Sequence, residues 1–448
     1  MKSLDAKLAA IHADPHGSKA FILADAKDAD MAFGIAAPGR SPEHADGGFR
    51  TLDEFRDHIR ANTRQGLLDI MLMSVSTNEV LTIRERLFDA SPVTPAVRAN
   101  DTTDIHVARG ASYPKEPSLP FRTAEIDHAQ CGELACDDSR RHLGANLGLY
   151  SITFNNDVHL DRQAVEDYRA FRVEAERKGF RHFLEVFDPN ALVNPIPPDK
   201  IGAFVNDMIV RTLAGVPTAG RPLFLKMVYH GPKFMEELVR YDPHLVPGVL
   251  GGSSGTTYDA FKLLAEAQKH GARAALFGRK INNAEHQLAF IQFLRLIADG
   301  QITPEEAVAA YHGVLAGMGL KPHRPLAKDM ELTGGATSYG GSGRTISIPP
   351  ARPSINSDLP PARAEHGHAN GGVAMPPASP GIRKPESGMR TGPAAAPAAS
   401  CAGSSNGGEL ADVVEKIPRL PSGDPDFAKM TPAERLAYHR RRLDRMFE

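Results

Sequence analysis

The sequence lacks tryptophan, has three cysteines in 448 residues and contains no long hydrophobic run. So few cysteines cannot form the disulfide framework of a small secreted domain. Cys131 and Cys136 have no second pair of ligands at zinc-site spacing, so we expect free thiols. No segment is long and apolar enough to cross a bilayer, and the first residues do not combine basic charge with an apolar stretch. These absences predict a soluble, cytoplasmic protein with no membrane partner.

A strong charge of either sign is also missing. Lys and Arg number 52 against 54 Asp and Glu, which gives a formal net charge of −2. Binding to nucleic acid or to an anionic membrane depends on a basic excess, so this balance gives no reason to expect either partner. No H-x-x-x-H or H-x-H pair stands at a predicted strand end, and we expect no metal and no other cofactor.

The chain does have a regular alternation of apolar, strand-like runs with amphipathic, helix-like runs between residues 20 and 320. Parallel strands joined by helical crossovers produce this pattern. Eight such strands predict an α/β fold of the TIM (β/α)8 barrel type, which leaves no free sheet edge; a doubly wound open sheet is the alternative. The predicted strands are Ala20–Asp25, Leu68–Val75, Val93–Ala99, Leu147–Phe154, His182–Phe187, Leu223–Tyr229, Pro247–Gly251 and Arg273–Gly278.

One stretch interrupts the alternation. Between Asn100 and Asn146 no amphipathic helix is evident, and Pro114, Pro117 and Pro120 break the chain. Loops that follow barrel strands lie on the catalytic face. We therefore expect this polar stretch to pack over the site as a lid.

Composition divides the chain into three parts. Residues 1–330 carry the barrel pattern. Residues 331–408 are rich in Gly, Pro, Ala and Ser, with too few large apolar side chains to offset the ordering entropy, and are predicted to be a disordered linker. Residues 409–448 are predicted to form a short amphipathic helical tail, in which Thr431 and Glu434 make a capping box. A helix this short is marginal alone, so we expect it to dock on something.

Lys226 is the most informative side chain. It stands alone in the apolar run Pro222–Tyr229, which is predicted to be a buried strand. Burial removes the water shell of an ammonium and favours the neutral amine, which is the nucleophile of Schiff-base chemistry on carbonyl substrates. The alternative is an ordinary lysine that pairs with a carboxylate or extends out of the strand end.

Glycine clusters follow the last two predicted strands. They are Gly251-Gly252-Ser253 and Gly278-Arg279-Lys280. Glycines let backbone N–H groups approach an anion, and the helix that begins near Thr257 would direct its positive end there. TIM barrels often bind phosphate after strands seven and eight. We therefore predict a phosphate site, with structural turns as the alternative.

Three segments resemble the class I, Schiff-base aldolase superfamily, in particular archaeal-type fructose-bisphosphate aldolases and tagatose-bisphosphate aldolases. The run from Lys226 to Gly231 is similar to the K-x-x-Y-x-G segment that carries the Schiff-base lysine. The run from Gly271 to Arg279 resembles the G-A-x-G-x-x-x-G-R ending, although Ala274 stands where a glycine is common. The segment Phe183-Leu184-Glu185 is similar to the L-E-P stretch on strand five of the tagatose enzymes.

This resemblance implies that Lys226 forms the imine and that the two glycine clusters, with Arg279, bind phosphate. Asp25 matches the acidic residue near the imine, although an ordinary strand-end aspartate is an equal alternative. Glu185 is expected to face inward and to hold Lys226 or a substrate hydroxyl. Asp188 stands near the position of a family tyrosine and becomes a candidate acid/base.

The implied function is that of an aldehyde-lyase, a class I aldolase acting on a phosphorylated ketose or related sugar phosphate. The alternatives are a barrel isomerase and a non-catalytic sugar-phosphate-binding subunit of an assembly. We expect a homo-oligomer. The linker and tail resemble encapsulation peptides that direct enzymes into bacterial microcompartments, so a shell or core protein is the expected partner of the tail; self-docking or an oligomer contact is the alternative.

Overall fold

The computed structural model describes residues 1–41, 47–105, 109–252 and 255–333, and in the C-terminal segment residues 418–419, 426, 429–431, 434–435 and 438. Its main strands are β1 Ile22–Lys27, β2 Ile70–Met73, β3 Thr94–Arg98, β4 Leu147–Thr153, β5 Arg181–Phe187, β6 Leu225–Met227, β7 Gly248–Leu250 and β8 Ala274–Phe277. They close into a parallel barrel in which β1 pairs with both β2 and β8. The predicted TIM barrel is confirmed, and each predicted strand overlaps an observed one.

Helices cover the outside of the barrel and close one end. The longer ones are α1 Ser3–Ala13, α2 Leu52–Gln65, α3 Val158–Arg177, α4 Ile201–Ala214, α5 Pro232–Tyr241, α6 Thr257–Lys269, α7 Gln287–Ala298 and α8 Pro304–Gly317. Short α-helices are Asp30–Phe33, Val75–Asn78, Ile126–Cys131, Arg279–Asn282 and Leu326–Asp329, and Glu79–Arg84 is a π-helix. Single 3₁₀ turns are Gly34–Ala36, Tyr113–Lys115, Asp138–Arg140, Pro198–Lys200, Thr218–Gly220 and Pro243–Leu245.

Side chains alternate between the barrel interior and the layer beneath the helices. Ala24 of β1 belongs to the interior apolar cluster, whereas its neighbour Leu23 packs with the outer helices. Helix α1 adds Leu4, Leu8 and Ile11 to the interior cluster. The amino end of the barrel interior is therefore closed by apolar side chains of α1.

The stretch between β3 and β4 contains a small antiparallel ladder of Asp101–Thr102 with Pro120–Phe121 and the short helix Ile126–Cys131. Cys131 and Cys136 form a disulfide with their Cα atoms 6.0 Å apart, so the prediction of free thiols is wrong. The chain turns back after the short helix, which brings the second cysteine within disulfide reach of the first.

The C-terminal part of the chain contacts the barrel through Thr333 and Arg435. Thr333 donates its hydroxyl hydrogen to Asp259 at 2.6 Å. Residues 334–408 of the predicted linker lie outside the described residues. In the tail, the predicted capping box is confirmed, because Thr431 and Glu434 exchange hydrogen bonds, and Arg435 lies 3.4 Å from Glu306 of α8. Among the described residues, no helix is long and apolar enough to cross a membrane.

Candidate active site

A cavity of about 130 Å³ opens at the carboxyl ends of the barrel strands. It is much larger than the space that a single water molecule needs. Every strand except β2 and β4 supplies lining residues, directly or from the loop that follows. The cavity is lined by Ala26, Asp28, Ala29, Ala32, Phe33, Arg98, Ile105, Glu185, Phe187, Lys226, Leu250, Gly251, Gly252, Leu276, Gly278 and Arg279.

Lys226 and Glu185 form a buried ion pair in this cavity. The β5–β6 register places the two residues side by side, and Lys226 Nζ lies 2.5 Å from Glu185 Oε1. Lys226 is 7% exposed and Glu185 is 1% exposed. Leu184 and Val186 pack in the cluster beneath the outer helices, as strand alternation predicts. The carboxylate therefore holds the lysine inside the barrel, where it can also exchange a proton with the amine.

A second pair of charges lies beside the first. Arg98 Nε donates to Asp28 Oδ2 at 2.5 Å, and Arg98 Nη1 donates to Ser151 Oγ at 3.2 Å. Ser151 in turn donates to Glu185 Oε2 at 2.7 Å. These bonds join Asp28, Arg98, Ser151 and Glu185 into one buried network that ends at Lys226. Each carboxylate in it faces a cation, which is what buried charges require.

The electrostatics of Arg98 show how strongly this network is coupled. Burial by itself lowers the pKa of the Arg98 guanidinium, but the charges of Asp28, Glu185 and Asp101 outweigh that effect and hold the pKa above its ordinary value. Arg98 is therefore a fixed positive charge beside the two carboxylates. A substrate group that develops negative charge near Lys226 would meet this cation.

The lining of the cavity includes part of the predicted phosphate site. Gly251, Gly252, Gly278 and Arg279 all line the cavity. A Cβ atom at Gly278 would lie 2.8 Å from the backbone oxygen of Ala26, so a side chain at this position would collide with β1. The guanidinium of Arg279 lies 5.2 Å from the centre of the Phe33 ring, which orients it across the cavity wall.

Other parts of the phosphate prediction lie elsewhere. Ser253 is outside the described residues. Lys280 is absent from the described cavity lining; its amine donates to the Gly255 carbonyl at 2.7 Å, and burial lowers its pKa to about 8. Carboxylates accept hydrogen bonds from the backbone N–H groups at the start of α6. The N–H of Thr257 donates to Asp329 at 2.8 Å, and that of Thr256 donates to Asp259 at 2.7 Å. The positive end of this helix is therefore already neutralised by the protein itself.

Asp25 is not brought together with Lys226. It lies on the outer face of β1, fully buried, and accepts a hydrogen bond from Asn62 of α2 at 2.8 Å. Burial raises its pKa to about 6. The acidic residue that reaches the cavity from this strand end is Asp28, beyond the last residue of β1.

Asp188 makes a different contact from the one expected of an acid/base at the imine. Its Oδ1 lies 2.8 Å from Nε2 of His230, which follows β6. Both side chains are 13% exposed. Phe187, immediately before Asp188, lines the cavity, whereas Asp188 is not among its described lining residues.

Sequence patterns contain only partial signals for Asp28, Arg98 and Ser151. Arg98 begins a polar cluster at the end of β3, but the cluster also contains Asn100, which bonds to the backbone of Ser151, and Asp104, which accepts from Ser118. Residue type alone does not show that Arg98 lines the cavity whereas Asn100 and Asp104 make structural hydrogen bonds. Within the described chain, no group of three or more His, Cys, Asp and Glu side chains is arranged to hold a metal ion.

No protein-family model and no curated protein sequence matches the chain. Solved structures do. A fructose-bisphosphate aldolase from Slackia heliotrinireducens shares 13% identity with a TM-score of 0.50, over 70% of this chain and 92% of its own. The chain has the aldolase-type barrel fold. An archaeal fructose-1,6-bisphosphate aldolase, solved with its catalytic lysine covalently bound to the carbinolamine intermediate, shares 17% identity with a TM-score of 0.47, over 66% of this chain and 100% of its own.

Proposed function

We propose that this aldolase-type barrel is a Schiff-base lyase that cleaves or forms a carbon–carbon bond in a phosphorylated ketose or related sugar phosphate. The observation that carries the proposal is the contact of Lys226 with Glu185 in a cavity that Gly278 and Arg279 also line. A buried lysine beside a proton acceptor provides a nucleophile. A glycine turn with an arginine provides an anchor for a phosphate. The structural neighbours named above are aldolases of fructose bisphosphate, a substrate of the same class.

The first step forms the imine. Glu185 accepts a proton from the Lys226 ammonium, and the freed lone pair attacks the ketone carbon of the substrate. A proton moves from the nitrogen to the former carbonyl oxygen to give a carbinolamine. The Glu185 carboxylic acid then protonates the hydroxyl, which leaves as water, and the nitrogen lone pair forms the iminium double bond. Glu185 is ionised again at the end of this step.

The second step breaks the carbon–carbon bond. The iminium accepts the electron pair of the bond between the α and β carbons, while the β-hydroxyl passes its proton to Glu185 and becomes the aldehyde that leaves. The remaining enamine takes this proton back at carbon. Water then hydrolyses the iminium and releases the ketone, which restores the Lys226 ammonium. Arg98 lies 3.8 Å from Glu185 Oε2, so it stabilises the ionised carboxylate in each cycle.

Phosphate binding determines which bond is placed at the iminium. Arg279 and the backbone of the Gly278 turn would hold the phosphate at the wall of the cavity. Fixing one end of the substrate converts the attack into an intramolecular step, which can contribute several kcal/mol to catalysis.

A product assay tests the proposal. The protein is incubated with ketose monophosphates and bisphosphates, and the products are followed by NMR and mass spectrometry. A lyase yields an aldehyde and a shorter ketone, and the Lys226→Ala variant yields neither. An isomerase would instead yield an aldose phosphate of unchanged mass, and a binding subunit would give no product in either form; either result would overturn the lyase.

For the assembly of the protein, we propose a homo-oligomer and a tail that docks on another protein, with a shell or core protein of a bacterial microcompartment as the candidate partner. The long Gly/Pro-rich segment before the tail supports this proposal, because a long linker would let the tail reach a partner beyond the barrel. The contact of Arg435 with Glu306 favours the alternative, in which the tail docks on its own barrel.

A further inference from the structure

A buried polar network lies on the outer face of β1, behind the wall of the cavity. Asp25 and Lys27 are both 0% exposed, and Lys27 Nζ lies 3.8 Å from Asp25 Oδ2. Asn62 of α2 donates to Asp25, and Gln287 of α7 accepts from Lys27 at 2.8 Å and from Asn62 at 3.0 Å. The network therefore fills the junction between β1, α2 and α7 with polar groups in place of apolar packing.

One bond of this network leads towards the predicted phosphate site. Lys27 Nζ donates to Asn282 Oδ1 at 3.0 Å. Asn282 is the last residue of the short helix Arg279–Asn282, and its backbone N–H donates to the Gly278 carbonyl at 2.9 Å. The helix turn that carries Gly278 and Arg279 is thus tied at its far end to Lys27.

The same asparagine also bonds to the loop that forms the neighbouring part of the cavity wall. Its Nδ2 donates to the carbonyl of Pro38 at 3.2 Å and lies 3.5 Å from that of Ala37. These carbonyls end the loop after β1, whose residues Ala29, Ala32 and Phe33 line the cavity. Asn282 therefore joins the phosphate turn to the loop against which Arg279 packs.

The presence of a lysine at this position calls for a reason beyond packing. A fully buried ammonium loses its hydration, and replacing a buried ion pair by apolar side chains of similar size is often neutral or stabilising. Lys27 has one carboxylate, at 3.8 Å, and its two shorter contacts are to neutral amide oxygens. The Lys27 ammonium can only donate hydrogen bonds. It therefore determines the orientation of the Asn282 side-chain amide, whose oxygen must face it.

We propose that Lys27 is a positioning residue for the anion site. By donating to Asn282 Oδ1, it leaves the Asn282 Nδ2 group directed at the loop carbonyls and holds the Gly278–Arg279 turn against that loop. The inference rests on the proposed function in one respect, the binding of a substrate phosphate at this turn. It does not depend on imine formation at Lys226.

Phosphate binding measured without catalysis tests this role. Inorganic phosphate is titrated calorimetrically into the native protein, into Lys27→Met and into Asn282→Ala, each checked by circular dichroism and used well below its melting temperature. We expect both variants to bind phosphate about 10-fold more weakly, as is typical when a supporting hydrogen bond behind a binding residue is removed. The double variant should bind no more weakly than either single one, because the two residues act through one bond.

Lys7→Met is the matched control. Like Lys27, Lys7 is paired with an aspartate, Asp69 at 2.7 Å, although Lys7 is only partly buried. It belongs to α1 at the opposite end of the barrel. We expect Lys7→Met to lower the melting temperature and leave phosphate affinity unchanged. If Lys27→Met does not fold, Asn282→Ala retains the Asp25–Lys27 pair and decides the question.

The outcomes separate this inference from the proposed function. Native phosphate affinity in folded Lys27→Met or Asn282→Ala would overturn the positioning role and leave the lyase proposal intact. A native protein that binds no phosphate would overturn both the anion site and the positioning role, whereas imine formation at Lys226 could still be trapped with an unphosphorylated ketone. Phosphate binding that weakens as expected in a protein that never forms an imine would support the positioning role and contradict the lyase.

Discussion

In the proposed mechanism, proton transfer at Lys226 depends on Glu185. One of its oxygens contacts the amine at 2.5 Å and the other accepts from Ser151 at 2.7 Å. Glu185→Gln keeps the shape but cannot accept a proton, so we expect kcat to fall about 100-fold or more. Steady-state kinetics with the sugar phosphate measures this. Glu174→Gln, which removes an ion-paired carboxylate from the outer helix α3, is the control and should retain native kcat. Native kcat in Glu185→Gln would assign the proton transfer to another group.

Arg279 makes a separate prediction about substrate choice. A hydrogen bond between charged groups contributes about 1.5–3 kcal/mol, so Arg279→Ala should weaken binding of phosphorylated substrates about 10-fold or more. Unphosphorylated analogues should bind the variant and the native protein equally well. The KM values of a matched pair of substrates test this, and an equal loss for both would give Arg279 a structural role only.

Sequence patterns located the Lys226–Glu185 pair better than its surroundings. A lone charge in an apolar run identified Lys226, and Glu185 was expected to face inward because a carboxylate buried in a strand needs a partner. Asp25 was placed at the imine by resemblance, yet it faces outward. Both faces of a barrel strand are buried, so the sequence does not show which alternate residues face the interior. Asp28 lies beyond the end of β1, where alternation no longer applies.

At the scale of elements, the contact of β1 with its covering helices carries a pH-dependent contribution to stability. Burial raises the pKa of Asp25 to about 6, above its ordinary value of 3.8, so the folded state binds its proton more tightly than the unfolded state does. This contribution is fully present below about pH 4 and is lost as the pH rises through 6. The groups that face Asp25 are Lys27 and Asn62, with the charge of Asp28 close by.

Asp25→Asn removes this titration and keeps the size of the side chain. We expect the free energy of unfolding of the variant, relative to the native protein, to rise by up to about 3 kcal/mol between pH 4 and pH 7. Denaturant titrations at several pH values measure the difference. A difference that stays constant over this range would show that Asp25 has an ordinary pKa in the folded protein.

The elements differ in how far the sequence determines them. All eight strands were predictable, because apolar runs bounded by turns are the signature of buried parallel strands. Between β2 and β3, where the alternation predicts an amphipathic helix, the structure has a short α-helix, Val75–Asn78, that continues as the π-helix Glu79–Arg84. The hydrogen bonds of a π-helix join residue i to residue i+5. Tertiary packing determines where they form, and residue propensities do not specify it. The stretch after β3 does contribute Ile105 to the cavity wall, but the pairing of Cys131 with Cys136 depends on how that stretch folds back.

At the scale of the whole molecule, the tail is expected to be separate from the chemistry. None of its described residues lines the cavity. Truncation after residue 407 should therefore leave kcat/KM of the barrel unchanged. When a fluorescent protein is fused to the protein, the same truncation should abolish its recruitment to the partner of the tail. Loss of activity or of the oligomer in the truncated protein would mean that the tail belongs to the catalytic body. The charge-reversal pair Arg435→Glu and Glu306→Arg tests self-docking, since the double variant should restore any stability that either single variant loses.

Borohydride trapping tests the central claim most directly, because it detects the covalent bond between Lys226 and the substrate. The protein is reduced in the presence of ketose phosphates, digested, and mapped by mass spectrometry. We expect a substrate-sized adduct on the peptide that contains Lys226, and none in Lys226→Arg, since arginine cannot lose its proton to form an imine. The absence of an adduct across the panel, or substantial activity in Lys226→Arg, would contradict the Schiff-base mechanism.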